Sequence, residues 1–167
     1  YDTQCESRVL AAALFRYSGL SYAHAEELIM TADSGLREQL AYSLLGDLRR
    51  HDIPVRETEH AQYLFELTLD QGAYFELKRH RMMTQSTQPF TPALGYAVPR
   101  ALVEAGMEQV YHQAMQASAQ LYYKLAETQP AAADYILPNG FNRRVLLGFN
   151  LRSADHLINL RSAPNAH

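Results

Sequence analysis

Apolar residues recur at helical spacing through the first third of the chain. The first run, in residues 4–17, places four of them on one helical face: Val9, Leu10, Ala13 and Leu14. Ser21 is placed to cap a short second helix, and Asp33 or Ser34 to cap a third. The third helix has a predicted buried face of five leucines: Leu36, Leu40, Leu44, Leu45 and Leu48. The pattern therefore predicts three helices before residue 50.

The period of the pattern changes to two after Pro54, which disfavours a helical conformation at Ile53. Over residues 59–69, apolar side chains alternate with polar ones, and this alternation predicts a strand. Asp70 is placed to cap the helix that follows. We expect the strand to run directly into a helix that ends in the basic cluster Arg79-His80-Arg81.

Residues 84–98 have no period and contain two prolines and several hydroxyl groups, which predicts a loop. Pro99 suits the first turn of one long helix that runs to about residue 127, with an apolar face typical of a core or a subunit interface. A second extended run is predicted over residues 141–149. Ser153 is then placed to cap a last helix that carries His156 and Arg161.

The composition indicates one globular domain of ordinary kind. The chain has 167 residues, 47% of them hydrophobic and 20% charged, and a formal net charge of −3. This charge argues against bulk binding of nucleic acid, and no apolar run is long enough to predict a membrane span. Cys5 is the only cysteine, which is compatible with a reducing compartment, and we expect a cytoplasmic protein. Because the chain starts at Tyr1, we expect residues 1–167 to be a segment of a longer chain.

Familiar catalytic motifs are missing from the sequence. The seven histidines show no metal-ligand spacing, so we predict no metal site. There is no Gly-x-Ser-x-Gly elbow, P-loop or Gly-x-Gly-x-x-Gly fingerprint, and nothing near Cys5 in the sequence activates its thiol. Two polar clusters are left as candidates, Arg79-His80-Arg81 and residues 150–161, with Arg143 and Arg144 beside the second.

The basic run Lys78-Arg79-His80-Arg81 has two interpretations. Positive charges complement the negative end of a helix dipole, so the run can be an ordinary charged C-terminus. Alternatively, the arginine forks are matched to phosphate or carboxylate oxygens. Convergent Arg, His and Asn side chains without a nucleophile suit a phosphorylated ligand or an anionic ring.

The residues of these clusters resemble the flavin-dependent thymidylate synthases. Glu59-His60 resembles the end of the family's His-x-x-Pro-x-Glu-His region, which His51 to Pro54 match loosely. Arg79-His80-Arg81 matches the start of the Arg-His-Arg-x7-Ser signature. The segment from Asn150-x-Arg152-Ser153 to Leu160-Arg161 resembles the Asn-x-Arg-Ser…Leu-Arg segment, and Ala166-His167 lies near the closing His-Ala-Gln region. The resemblance covers roughly residues 35–167.

The resemblance implies an α/β (α+β) fold with a central, mostly antiparallel sheet flanked by long helices, and a homotetramer with sites between subunits. It implies a flavoprotein methyltransferase in which FAD, reduced by NADPH, carries a methylene group from methylenetetrahydrofolate to dUMP to give dTMP. Seven residues are implied as FAD contacts: Glu59, Arg79, His80, Arg81, Asn150, Arg152 and His156. Arg161 is implied as the catalytic residue that polarises the uracil ring, and Glu76, Arg79 and Arg161 as substrate contacts.

The chain departs from the family at the nucleotide phosphate site. Pro89 stands at the signature serine, Thr87 at a glutamate, and Thr91 and Asp134 at two arginines. The sequence thus leaves open a functional thymidylate synthase or relative with another substrate. It also leaves open a non-catalytic domain of the same fold, such as half of a tandem protein or an assembly subunit. An unrelated helical domain with surface arginines is the third alternative.

Overall fold

A computed structural model describes residues 4–49 and 52–163 of the chain. They fall into two compact units. Unit 1 comprises Tyr1–Leu64, Met82–Thr84 and Gly148–His167, and unit 2 comprises Phe65–Arg81 and Gln85–Leu147. The prediction of a single domain stays a prediction. His51, Ala166 and His167, which take part in the family resemblance, lie outside the described residues.

Unit 1 begins with three helices, α1 (Cys5–Tyr17), α2 (Tyr22–Thr31) and α3 (Ser34–Leu45). The predicted caps of α2 and α3 are confirmed, since the Ser21 side chain accepts from the His24 amide and the Asp33 side chain from the Leu36 amide. The core lies between α1 and α2, with Leu10, Ala11, Ala25 and Ile29 buried there. These contacts explain the helical spacing of apolar residues in α1 and α2.

The predicted buried face of α3 is wrong. No residue of this helix is buried, Leu36 is 47% exposed, and Leu48 lies beyond the helix end and is also exposed. The middle of the predicted face is partly covered, since Leu40 and Leu44 pack against the α1–α2 core. Apolar spacing marks a face that can be buried, but a neighbouring element must cover it.

The sheet has three strands, β1 (Gln62–Asp70), β2 (Thr84–Thr87) and β3 (Asn142–Asn150), in the order β1-β3-β2. In unit 1 the Leu151 amide donates to the Ala61 carbonyl, and in unit 2 the Gln71 amide donates to that of Phe141. Rising numbers on one strand thus meet falling numbers on the other, which is the antiparallel pattern. The predicted α/β fold with a small antiparallel sheet is confirmed.

Two boundaries of the predicted extended segments differ from the structure. Glu59 and His60 belong to a 3₁₀ turn, Arg56–His60, so the first strand starts later than residue 59. Residues 84–87 form β2 rather than loop, because the backbone pairs with β3 and continues in a bond from the Gln88 amide to the Arg144 carbonyl. A hydroxyl-rich strand has no apolar alternation to reveal it in sequence.

The helical part of unit 2 consists of α4 (Gln71–Leu77), α5 (Arg100–Glu104), α6 (Glu108–Thr128) and α7 (Pro130–Ala133). The predicted Asp70 cap of α4 is confirmed by its bond from the Ala73 amide. The single long helix predicted after Pro99 is wrong. Gly106 has a φ of 69° and separates α5 from α6. This left-handed conformation ends one helix before the next begins.

The core of unit 2 is aromatic and lies under α6. Phe90, Met115, Leu137 and Phe141 are buried together, and the Tyr96 ring meets the Phe141 ring edge to face at 5.5 Å. Most of the predicted apolar face of α5 and α6 is exposed, including Val103, Met107, Val110 and Leu121. Within the described residues, no helix is long and apolar enough to cross a membrane.

The last helix in the described part of unit 1 is α8 (Leu151–Arg161), which follows β3 without a break. Its N-cap is Asn150, whose side-chain oxygen accepts from the Ser153 amide at 2.8 Å, so the predicted Ser153 cap is wrong. Asparagine competes well with serine at this position, and here it is the last residue of the strand. This junction directs the start of α8 toward the 3₁₀ turn Arg56–His60.

Candidate functional site

A cavity of about 430 Å³ lies in unit 1 beside the start of α8. Its walls come from the segment before the 3₁₀ turn, the turn itself, Met82 and α8: Asp52, Ile53, Pro54, Glu59, Met82, Asn150, Arg152, Ser153, Asp155, His156 and Asn159. The volume falls in the range of small-molecule sites. Four of the seven residues predicted to contact FAD therefore share one cavity, namely Glu59, Asn150, Arg152 and His156.

An ion pair joins the two elements that form the cavity. Arg152 Nη1 donates to Glu59 Oε1 at 2.7 Å, and Arg56 Nε lies 3.5 Å from the same oxygen. The hydrogen bond from Arg152, followed by the charge of Arg56, holds the pKa of Glu59 below its ordinary value. Glu59 is therefore ionised at neutral pH, and it orients the Arg152 guanidinium at the cavity wall.

Helical spacing brings the α8 side chains to the cavity. Arg152, Asp155, His156 and Asn159 follow one another at intervals of three, one and three residues, so they share one face of the helix. Asp155 and Asn159 fall in the candidate cluster of residues 150–161 but were not predicted as contacts, although counting by helical steps from Arg152 would have found them. Ile53, Pro54 and Met82 were not predicted as wall residues either, because an apolar wall contributed by separate segments has no sequence pattern of its own.

The polar side chains at the start of α8 differ in how many of their hydrogen-bonding atoms have partners. Asn150 uses its side-chain oxygen to cap the helix, which leaves its amide NH₂ for other partners. Ser153 is 5% exposed, and its Oγ has no hydrogen-bond partner among the described residues. Backbone amides at a helix N-terminus and a guanidinium favour an electron-rich ligand at this end of the cavity.

The other predicted FAD contacts, Arg79, His80 and Arg81, belong to unit 2. They follow α4 rather than ending it, and Arg79 Nη2 pairs with Glu76 Oε1 at 3.0 Å. His80 is 7% exposed, whereas Arg81 is exposed. The side-chain amide of Gln85 donates to the carbonyls of Leu77 and His80, which fixes the backbone of this turn. The predicted substrate contacts Glu76 and Arg79 are thus brought together.

Arg161, the predicted catalytic residue, lies half-buried in the last turn of α8 and is not part of the cavity wall described above. The positions where the phosphate site departs from the family lie in unit 2. The hydroxyl of Thr91 accepts from the Ala93 amide at 3.4 Å, and Thr87 ends β2. Burial, followed by the negative charge of Asp134, raises the pKa of Tyr122. The Asp134 carboxylate thus disfavours negative charge on the neighbouring Tyr122, and it would disfavour a phosphate there for the same reason.

The described part of the chain contains no group of three His, Cys, Asp or Glu side chains arranged to hold a metal ion. The cavity donors are instead guanidinium, amide and hydroxyl groups beside apolar carbon. These groups suit an organic ligand with a ring and hydrogen-bond acceptors.

The sequence matches one protein-family model and is similar to several known proteins. The family model described as "Thymidylate synthase complementing protein" matches residues 1–167. A UPF0159 protein of Chlamydia muridarum is 34% identical over 169 residues, which span 96% of this chain and 30% of that protein. A flavin-dependent thymidylate synthase of Geobacter sulfurreducens is 29% identical over 118 residues, or 65% of this chain and 51% of that enzyme. The chain spans about a third of the UPF0159 protein's length.

Solved structures share the fold. Thymidylate synthase X from Helicobacter pylori, determined with FAD and dUMP, superposes with a TM-score of 0.66 at 21% identity, over 97% of this chain and 82% of that one. The UMP/dUMP methylase PolB from Streptomyces cacaoi, bound with 5-Br dUMP, gives a TM-score of 0.68 at 17% identity, over 93% and 73% of the two chains.

Proposed function

Since this chain belongs to the thymidylate synthase complementing protein family, we propose that it binds FAD and takes part in the reductive methylation of dUMP to dTMP. Methylenetetrahydrofolate and NADPH are the proposed co-substrates, and a cytoplasmic homotetramer is the proposed assembly. The observation that carries the proposal is the unit 1 cavity, in which Glu59, Asn150, Arg152 and His156 meet.

The cavity suits part of a flavin dinucleotide. Ile53, Pro54 and Met82 offer apolar contact to a ring, and Arg152 offers guanidinium donors to its oxygen and nitrogen acceptors. The Asn150 amide NH₂ adds donors beside Arg152. A bound FAD, once reduced, would supply the methylene carrier and the hydride for the reaction.

The residues of this chain have separate proposed roles. Glu59 positions Arg152, and Arg152, Asn150 and His156 bind the flavin. Arg79, His80 and Arg81 are the proposed flavin contacts from unit 2, with Arg79 held by Glu76. Arg161 stabilises the negative charge that develops on the uracil ring during methyl transfer. Glu76, Arg79 and Arg161 contact the nucleotide.

A non-catalytic domain of the same fold is the second candidate, and the phosphate site favours it. Pro89 can donate no backbone hydrogen bond, the Thr91 hydroxyl already accepts one from Ala93, and Asp134 carries the wrong charge for a phosphate contact. Each lost charge-assisted bond costs about 1.5–3 kcal/mol, so three losses would weaken nucleotide binding by several orders of magnitude. In this case the chain would be a non-catalytic part of a longer protein. The match to the UPF0159 protein, which covers only 30% of that protein's length, is compatible with this arrangement.

The visible absorption spectrum of the purified chain, with and without added FAD, tests the proposal. A bound-flavin spectrum, followed by dTMP formation from dUMP, methylenetetrahydrofolate and NADPH, supports the enzyme. Bound flavin without dTMP formation supports the non-catalytic domain. No flavin binding even at high FAD concentration contradicts the flavin assignment. Arg81→Ala should remove the flavin, and unchanged flavin occupancy would exclude Arg81 from the site.

A further inference from the structure

Arg143 and Arg144 are consecutive basic residues of β3 that have no role in the proposed function. Successive residues of a strand point to opposite faces of its sheet, so these two arginines lie on different faces. Arg143 is held in place by protein groups. Its guanidinium carbon lies 5.2 Å from the Tyr74 ring and 5.3 Å from the Phe90 ring, and its Nη2 donates to the Gln88 carbonyl. Arg144 is held much less tightly.

The strand register builds a polar row around Arg144. The Gln88 amide donates to the Arg144 carbonyl, so these two residues lie opposite each other. Because the strands are antiparallel, moving two residues back to Ser86 and two residues on to Leu146 gives the next pair on the same face. On the other side of β3, the bond from the Gln71 amide to the Phe141 carbonyl places Glu66 opposite Leu146 as well. One face of the sheet thus carries a hydroxyl, an amide, a guanidinium and a carboxylate as neighbours.

A groove of about 240 Å³ opens at this row within unit 2. It is lined by six residues from the three strands and the segment after β2: Glu66, Ser86, Thr87, Gln88, Arg144 and Leu146. Arg144 supplies the positive charge in this lining, and the Ser86 hydroxyl and the Gln88 amide supply neutral hydrogen-bond donors. This combination of one arginine fork with several neutral donors suits a phosphate group.

The guanidinium of Arg144 is not saturated by its protein partner. Its Nε lies 3.3 Å from Glu66 Oε1, but the contact lacks hydrogen-bond geometry, and Nε has no hydrogen-bond partner among the described residues. The Glu66 side chain is 63% exposed, so it can leave at little cost. The carboxylate thus stands where an anionic oxygen of a ligand would be placed.

We propose that this groove binds a phosphomonoester dianion through Arg144, with Glu66 as the group that the ligand displaces. The inference rests on the proposed function for the nucleotide, dUMP, while the phosphate contact itself rests on the groove. Arg144 then supplies a positive charge that the sequence lacks at Thr91 and Asp134. In this proposal the phosphate contacts come from residues of the sheet.

The test compares two variants with opposite expected signs. Purified chain, free of added flavin, is titrated calorimetrically at low salt with inorganic phosphate, dUMP and deoxyuridine. Arg144→Gln should weaken the binding of phosphate and of dUMP by about ten- to a hundredfold, which is the effect of losing a charge-assisted hydrogen bond. Glu66→Gln should strengthen both, because the competing carboxylate is removed. Deoxyuridine should bind more weakly than dUMP.

The ion pair Arg100–Glu104 of α5 provides the matched controls, since it also lies on the surface of unit 2 at 2.7 Å. Arg100→Gln and Glu104→Gln change the same charges and should leave the phosphate affinity within about twofold. The proposal is overturned if Arg144→Gln behaves like Arg100→Gln, if neither the natural chain nor Glu66→Gln binds phosphate, or if deoxyuridine binds as well as dUMP.

These outcomes are separate from those of the flavin experiment. Phosphate binding that depends on Arg144, in a chain that never acquires a flavin spectrum, would support the groove and contradict the proposed function. A flavin spectrum together with phosphate affinity that is indifferent to Arg144 would overturn the groove alone.

Discussion

Arg152 donates to Glu59 across 2.7 Å, and this bond joins two segments that lie 93 residues apart in the chain. Glu59 belongs to the 3₁₀ turn Arg56–His60 and Arg152 to the first turn of α8. Both side chains are about two-thirds or more shielded from solvent, so the pair is screened less than a surface ion pair. The bond therefore sets the geometry of the proposed flavin cavity.

Replacing Arg152 should weaken FAD binding. Arg152→Gln removes a charge-assisted donor from the cavity wall and leaves Glu59 with only its longer contact to Arg56, so we expect about a ten- to hundredfold loss of affinity. Quenching of flavin fluorescence on titration measures it. Arg56→Gln is the matched control, because the Arg56 side chain is 75% exposed and its contact with Glu59 is longer. Equal losses in both variants would count against a specific role for Arg152.

Replacing Arg161 should separate catalysis from flavin binding. Arg161→Ala removes the charge proposed to stabilise the uracil ring as it becomes negative, and we expect methyl transfer to fall by about a hundred- to a thousandfold. The flavin spectrum should be unchanged. Arg161→Lys retains a positive charge and should recover part of the rate. The measurement is dTMP formation per bound flavin, and full turnover by Arg161→Ala would exclude it from the mechanism.

Two substitutions at the start of α8 distinguish the cap from its neighbour. Asn150→Ala removes the oxygen that accepts from the Ser153 amide, and should lower the free energy of unfolding by about 0.5–2 kcal/mol. Asn150→Asp keeps an acceptor and should retain most of the stability. Ser153→Ala should have little effect, since the Ser153 Oγ has no hydrogen-bond partner among the described residues. Urea unfolding compares them. A larger loss in Ser153→Ala would reverse the assignment.

The protein should lose stability in acid because two glutamates of the 3₁₀ turn, Glu57 and Glu59, have lowered pKa values. Burial is the largest single effect on the pKa of Glu57 and raises it, but the hydrogen bonds to its carboxylate and the charges of Arg16 and His60 together lower the pKa. The hydrogen bond from Arg152 is the largest effect on Glu59 and also lowers its pKa. A carboxylate with a lowered pKa stabilises the folded state above its ordinary value of 4.5 and loses this contribution as the pH falls through the folded-state value.

Urea unfolding measured from neutral pH down to below about pH 4 checks this dependence. The free energy of unfolding should decline as the pH drops below the ordinary glutamate value. In Glu57→Gln and Glu59→Gln the decline should be shallower, because one linked carboxylate is missing from each. A slope identical to that of the natural chain in both variants would show that other groups dominate.

Gly106 should resist substitution. Its φ of 69° lies in the left-handed region, where a side chain costs about 1–2 kcal/mol per residue. Gly106→Ala should therefore lower the melting temperature. Gly19→Ala is the matched control, because an added Cβ there meets no atom within 4 Å and φ is not left-handed. It should be neutral or slightly stabilising. Similar losses in the two variants would contradict the conformational argument.

Local sequence signals were sufficient for several elements. The caps at Ser21, Asp33 and Asp70 were predicted correctly, because a cap depends on residues two or three positions away. The extended run over residues 141–149, predicted after the Pro138-Asn139-Gly140 turn, is also found as β3, in which Val145 and Leu147 are buried. Family membership followed from the identities of the motif residues, and the match over residues 1–167 confirms it.

Features that depend on contacts between distant segments could not be predicted from the sequence. The leucines of α3 have helical spacing but are covered only in part, and β2 is a strand only because β3 pairs with it. The choice of Asn150 over Ser153 as the cap depends on where the strand ends, and the cavity depends on a bond between Glu59 and Arg152. The sequence by itself determined the local elements and the motif residues. Only the tertiary structure decided which of them meet, because burial, strand pairing and ion pairs are contacts between segments far apart in the chain.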